Sequence, residues 1–322
     1  MVQLHPGAPF DIFPWFDGFL SDPTRALPSL SLRPQPQFSP TGARFTAVVS
    51  LVFALCLESH VLAHEDLLAR ILSLTAQIST NQSNTEAILQ RADLYRLHRN
   101  FQEAKADYTT AERSGPRSAS LFLGQAQLQV DLGEDRAARL LFDQALKLSP
   151  TNKTVLLGRG RALARLGESK AAIADYTGSI ASPVGVQAEE FLERASLQAA
   201  EFGPDEAIRG LDEGLVRLGW VVTLQQAALD YEMKRQKPEQ ALARLETILT
   251  RTNRKETWLV RKGEILLVAG KPSEAKETLT FTLQTIEALP PRSRNSPWMM
   301  RLRAQVEVLI AGIDVINPVA RK

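Results

Sequence analysis

The sequence predicts an all-α fold in which six pairs of helices stack into a solenoid. Three rows of residues recur in register every 34 or 35 positions along the 322-residue chain. The first row is small, as expected where two helices cross, because larger side chains would hold the backbones apart. Its members are Ala104, Ala138, Ala172, Ala207, Ala241 and Ala275. Four places later lies a row of large residues, Tyr108, Phe142, Tyr176, Leu211, Leu245 and Leu279. Twelve places before the first row lies a third, mostly small row, Ala92, Ala126, Gly160, Ala195, Leu229 and Gly263.

Each repeat has the pattern of two helices joined by a tight turn. Apolar residues recur at three- and four-residue spacing in both halves, which is typical of helices with one buried face. Gly133, Gly167 and Gly270 follow first helices and supply the conformation that a short turn needs. Prolines end several second helices. They are Pro116, Pro150 and Pro183.

Amphipathic helices are predicted on both sides of the repeats, which cover residues 85–288. One lies at 64–80 and the other at 296–316, where Ser296 is the expected N-cap. A terminal repeat needs such a cap, because its stacking face otherwise remains in water. In the fifth repeat Leu229 interrupts the small row, unless a one-residue insertion nearby puts Ala228 in that place.

These rows resemble the tetratricopeptide repeat family, whose 34-residue helix–turn–helix unit has small, small, aromatic and proline positions in this order. The resemblance implies a right-handed α-solenoid whose first helices line a concave groove. It also implies a non-catalytic scaffold that binds a segment of a protein partner in that groove. Family members that bind the C-terminal carboxylate of a peptide carry Lys and Asn where this chain has Leu89 and Asp93. That mode of binding is therefore not implied.

The candidate binding residues come from apolar doublets in the first helices. Neighbouring residues on a helix point about 100° apart, so one member of a doublet can pack between helices while the other faces the groove. The family's register places one leucine of each of the first four repeats in the groove, beside polar neighbours. The candidate set is Leu89, Asp93, Arg96, Leu123, Gln127, Leu157, Arg161, Leu192 and Glu264. The alternative, that both members of each doublet are core, stays open.

An apolar run precedes the repeats. Residues 45–57 carry no charge and are too few to cross a bilayer, which takes about 20 residues, but they suit the apolar part of a signal peptide. A signal peptide at 45–63 predicts a bacterial protein exported to the periplasm or beyond. Residues 1–44 are Pro-rich and are predicted to be a disordered extension or to precede the true start. If the run is not cleaved, the chain is instead a membrane-tethered or cytoplasmic adaptor.

Composition argues against several classes of function. The 38 basic and 36 acidic residues give a formal net charge of +2, so no strong field selects a nucleic acid. Cys56 is the only cysteine, which excludes an intrachain disulfide and a cysteine zinc site. After cleavage only His64 and His98 would remain as histidines, and no cofactor, metal or catalytic site is predicted in the repeats. The alternative is an exported metal-binding or catalytic protein that uses the amine and imidazole of His64.

Overall fold

The computed structural model of the protein describes residues 67–183 and 185–316, and within these ranges its regular structure is helical. Residues 67–80 are helical and are called α1. The helices that follow are α2 (Thr85–Leu97), α3 (Phe101–Ser114), α4 (Ala119–Asp131), α5 (Asp135–Leu148), α6 (Lys153–Arg165), α7 (Ser169–Ile180), α8 (Ala188–Phe202), α9 (Pro204–Leu218), α10 (Val222–Lys234), α11 (Pro238–Arg251), α12 (Glu256–Val268), α13 (Pro272–Glu287), α14 (Pro291–Arg294) and α15 (Pro297–Ile316). The predicted extension 1–44, the signal peptide 45–63 and His64 lie outside the described residues.

Helices α2 to α13 form six consecutive packed pairs, each of which is one repeat. This confirms the predicted solenoid of helix–turn–helix units between capping helices. In every pair the second helix begins 16 residues after the first. The turn between them contains a residue with positive φ, for example Gly167 at 78° in the third repeat. Arg99 (62°) and Gln236 (56°) adopt this conformation in the first and fifth repeats, where it is less favourable than for glycine.

The small residues lie where the paired helices cross. Ala138 and Ala172 are fully buried, and a Cβ added to Gly160 on α6 would lie 3.3 Å from the Cβ of Asp175 on α7. In the fifth repeat α10 begins at Val222, so Leu229 and not Ala228 stands in this crossing place. No insertion is present, and α10 and α11 come close at fewer positions than the helices of the other five pairs.

The single 35-residue interval falls in the connection between α7 and α8, from Ala181 to Gln187. The connection is fixed by Glu190 in the first turn of α8, which is 1% exposed. Its carboxylate accepts hydrogen bonds from Lys153 Nζ at 2.6 Å and Ser179 Oγ at 2.7 Å, and from the backbone N–H of Gln187 at 3.1 Å. Burial alone would raise the pKa of Glu190, but these three donors outweigh it and lower the pKa below the ordinary glutamate value.

Both ends of the repeat stack are covered by a helix. On α1, Ile71 and Leu74 pack in a buried cluster with Ala87 and Leu94 of α2. On α15, the buried side chains Met299, Leu302, Val306 and Ile313 join a cluster with residues of α13. The predicted N-cap of α15 is confirmed, since the backbone N–H of Met299 donates to Ser296 Oγ at 3.3 Å.

Among the helices in the described ranges, none combines the length and the apolar character that crossing a bilayer requires.

Candidate functional site: the groove face of the first helices

Except for Arg96, which is the twelfth residue of α2, the candidate residues fall into two places of the first helices, the fifth and the ninth residue counted from each helix start. These two places are called the groove face here. The fifth places are Leu89, Leu123, Leu157, Leu192, Gln226 and Val260. The ninth places are Asp93, Gln127, Arg161, Ser196, Asp230 and Glu264. In the fifth and sixth repeats the fifth places are held by Gln226 and Val260 and not by leucine. Of the groove-face residues in these two repeats, the predicted set contains only Glu264.

The four predicted leucines are not equally buried. Leu123, Leu157 and Leu192 are half-buried and lie against the edges of core clusters. Leu89 is only 8% exposed and belongs to the core of the first repeat. Ile78 of α1 packs against that same cluster, so the N-terminal cap adds to the enclosure of Leu89. The apolar row that solvent can reach therefore runs through the second, third and fourth repeats.

The two arginines of the predicted set pair with acids of the following repeat. Arg96 on α2 donates to Asp131 on α4 at 2.7 Å, and Arg161 on α6 to Glu193 on α8 at 3.0 Å. The sequence had not marked Asp131 or Glu193, because the partners are 35 and 32 residues apart. These charges link neighbouring repeats and leave no free arginine in the predicted set.

Asp93 is held by a tyrosine from the same repeat. The hydroxyl of Tyr108 donates to Asp93 Oδ1 at 2.5 Å, although the ring is almost fully buried. Burial, followed by the hydrogen bond to Asp93, raises the pKa of Tyr108 above its ordinary value. Tyr176 holds the same place two repeats later, and burial together with the charge of Glu193 raises its pKa too. Both tyrosines therefore stay neutral, and their hydroxyl groups lie close to acidic side chains of the first helices.

Gln127 differs from the other predicted polar residues. Its side chain is half-buried beside Leu123 in the second repeat, and its amide makes no hydrogen bond with the part of the chain that the structure describes. A side-chain amide offers two donor hydrogens and an acceptor oxygen. Gln127 can therefore bind a peptide group of another chain without first breaking an internal contact.

The groove face opens into a cavity of about 320 Å³ at its C-terminal end. Gln226 and Val260 from the fifth places and Asp230 and Glu264 from the ninth places line it. Glu264 accepts a hydrogen bond from Gln305 of α15 at 2.9 Å. The C-terminal cap thus forms one wall of the cavity.

Metal chemistry receives no support from the residues that the structure describes. Within them, no group of three or more His, Cys, Asp or Glu side chains is arranged to hold a metal ion. His64, on which the metal-binding alternative depends, lies outside them.

Two overlapping segments of the chain match a known family. The tetratricopeptide repeat profile matches residues 89–153 and 123–183. No curated protein matches the sequence.

Solved structures with a similar arrangement of helices are all distant in sequence. A tetratricopeptide repeat protein from Parabacteroides merdae ATCC 43184 is 19% identical, with a TM-score of 0.46 over 76% of this chain and 94% of that one. PilF of Pseudomonas aeruginosa is 17% identical, with a TM-score of 0.45 over 69% of this chain and 97% of that one. YrrB, a tetratricopeptide repeat protein with an unusual peptide-binding site, is 20% identical, with a TM-score of 0.40 over 51% of this chain and 81% of that one.

All three TM-scores lie below 0.5, so the assignment rests on the repeat register and on the matched segments. The register observed in residues 89–183 continues through the helix pairs on either side of them. Residues 89–183 match the tetratricopeptide repeat family, and the helix pairs on either side share their register.

Proposed function

We propose that the protein is a non-catalytic interaction scaffold that binds an extended segment of a partner protein along its groove face. The observation that carries the proposal is the half-buried leucine in the fifth place of three consecutive first helices, beside an amide without an internal partner. Tetratricopeptide repeats are in general interaction modules, which supports the class of function.

The leucine row supplies the affinity in this proposal. Leu123, Leu157 and Leu192 keep part of their apolar surface in water, and covering such surface stabilises a complex by about 25 cal/mol per Å². An exposed apolar strip with polar neighbours is a common mark of an interaction site. The partner segment should therefore offer apolar side chains at intervals that match successive repeats.

The polar neighbours of the leucines orient the bound segment but do not select a segment by its charge. The Gln127 amide can pair with a main-chain peptide group of the bound segment. Arg96 and Arg161 are neutralised by Asp131 and Glu193, so an anionic group would have to displace an existing partner. The groove face therefore favours an extended apolar and uncharged segment over an acidic one.

Site-specific crosslinking tests the groove face directly. A photoreactive amino acid is placed at Leu123 or Leu157 in the full chain, and for the control at Gln144, an exposed residue of α5. Irradiation in the native host should give the same protein adduct from both groove positions and none from Gln144. Equal adducts from all three positions, or none from the groove, would contradict the proposed site.

Export remains a proposal that rests on the apolar run and on the small residues that follow it. N-terminal sequencing of the protein from its native host should find His64 as the first residue. A chain that retains residues 45–57 would favour the tethered or cytoplasmic adaptor instead.

A further inference from the structure

A second cavity lies outside the groove face, at the end of the sixth repeat. It has a volume of about 230 Å³ and lies between the first turn of α12, the connection after α13 and the first turn of α15. Its walls include Glu256, Leu289, Ser293, Trp298 and Met299. Pockets for drug-sized ligands occupy about 300–1,000 Å³, so this cavity suits one side chain rather than a cofactor.

Glu256 is buried in the wall of this cavity without a partner. The residue is 5% exposed, and its carboxylate makes no hydrogen bond or ion pair with any residue in the described ranges. Neither carboxylate oxygen is sealed from solvent, so the group opens into the cavity. A buried carboxylate is unfavourable unless it is paired. The equivalent first residues of the other repeats are all half-buried or exposed: Thr85, Ala119, Lys153, Ala188 and Val222.

The chain satisfies a comparable buried carboxylate elsewhere, at Glu190 in the first turn of α8. Glu190 receives the ammonium group of Lys153 and the hydroxyl of Ser179. In the cavity of Glu256 a hydroxyl is available from Ser293, which lines the same cavity and whose Oγ has no hydrogen bond within the described ranges. The ammonium group is the member of this set that the described residues do not supply to Glu256.

From this juxtaposition we infer that the cavity is a binding site for a primary ammonium group, carried by a lysine side chain of a partner protein. The Glu256 carboxylate accepts hydrogen bonds from the ammonium, and the Ser293 hydroxyl accepts another. The Trp298 ring adds cation–π attraction from the wall, while Leu289 and Met299 contact the methylene stem. Because no residue of this cavity belongs to the groove face, the proposed function and this site can fail independently.

Arg254 is a positively charged residue in the wall of this site. It lines the same cavity but forms no ion pair with Glu256. Its positive charge in the wall of the cavity weakens the binding of a cation there. Removing its charge should therefore tighten the binding of an ammonium ligand, whereas removing the charge of Glu256 should weaken it.

The test is a titration of the full chain with n-butylammonium, the analogue of a lysine side chain, followed through the indole N–H resonance of Trp298. We expect saturable binding with a Kd on the order of millimolar, and binding of the neutral 1-pentanol about tenfold weaker. Glu256→Gln should weaken butylammonium binding about tenfold, and Arg254→Gln should strengthen it. Glu103→Gln is the matched control, because Glu103 is an exposed acid in the first turn of α3.

Three results would overturn the site. They are the absence of a saturable shift, equal binding of the ammonium and the alcohol, and unchanged binding in a folded Glu256→Gln variant. If that variant does not fold, the comparison of the two probes on the native chain still decides the question.

Discussion

The third and fifth repeats have the same spacing between their two helix starts and a positive-φ residue in the interhelix turn, yet different side chains lie where their helices cross. In the third, Gly160 lets α6 and α7 approach closely, and the large Tyr176 fills the space beside the crossing. In the fifth, Leu229 takes the crossing place and Leu245 replaces the tyrosine, and both leucines are fully buried. The helices α10 and α11 meet at fewer positions. The fifth repeat thus has a larger residue on its first helix and a smaller one on its second helix than the third repeat has. The 34-residue register is the same on both sides of this exchange.

Leu229→Ala gives the fifth repeat the small residue of the third and should have the largest effect. We expect a loss of about 2–5 kcal/mol of unfolding free energy, because helices held apart by Leu229 leave a cavity when it is truncated. Chemical denaturation measures this loss. The control is Val216→Ala, at a residue that is 88% exposed, and it should be nearly neutral. Equal effects of the two changes would mean that Leu229 is not at the crossing.

Lys153→Met tests the first residue of the third repeat against Val222, its exposed equivalent in the fifth. Loss of the ammonium leaves the buried Glu190 carboxylate without a counter-ion, with only Ser179 and Gln187 as donors, at a cost of about 3 kcal/mol near neutral pH. Because the folded pKa of Glu190 is lowered, the stability it contributes is present above about pH 4.3. It is lost as the pH falls below that value.

Denaturation at several pH values checks this prediction. The native chain should lose more stability on acidification than the Lys153→Met variant, and Val222→Met should behave like the native chain. Parallel pH profiles for the native chain and Lys153→Met would contradict the role of the pair.

Gly160→Leu makes the opposite exchange, giving the third repeat the residue of the fifth. The added side chain would press on Asp175 and Tyr176 of α7, and overpacking of this kind costs about 1–3 kcal/mol. Gly312→Leu on α15 is the matched control, because a Cβ at Gly312 meets no atom within 4 Å. Thermal melting should separate the two variants clearly. A tolerated Gly160→Leu would show that the crossing distance is not set by this residue.

Gln236→Gly alters the turn of the fifth repeat and should have the smallest effect. Gln236 has a φ of 56° where the third repeat has Gly167. Relief of the left-handed conformation should add up to about 1 kcal/mol of stability, and Gly167→Gln should remove a similar amount. Opposite shifts of the melting temperature are expected, and shifts of the same sign would sink the comparison.

The repeat register could be predicted because the sequence repeats the size of residues at the helix crossings. The ambiguity between Ala228 and Leu229 could not be settled from composition, since both are apolar and both are buried. It depended on where α10 begins. A helix start is set by local capping and by contacts with neighbours, which a pattern of residue sizes does not contain.

The groove face was only partly predictable. Its fifth-place leucines follow from the register, but the deeper burial of Leu89 depends on α1, which packs Ile78 against the same cluster. The pair Arg96–Asp131 depends on the distance and rotation between neighbouring repeats. Glu256 shares its cavity with Ser293 and Trp298, which lie beyond the sixth repeat, and nothing in the repeat pattern specifies where they are placed.

Binding of a partner by the half-buried row of Leu123, Leu157 and Leu192 is the basis of the proposed function. It is tested most directly by measuring affinity and melting on the same samples of the native chain and a Leu123→Ser/Leu157→Ser variant, with the crosslinked partner as ligand. We expect a loss of affinity of about tenfold or more with little change in melting temperature. If the two leucines are core residues instead, each truncation should cost about 2–5 kcal/mol. A collapse of stability, or an unchanged affinity, would contradict the groove-face site.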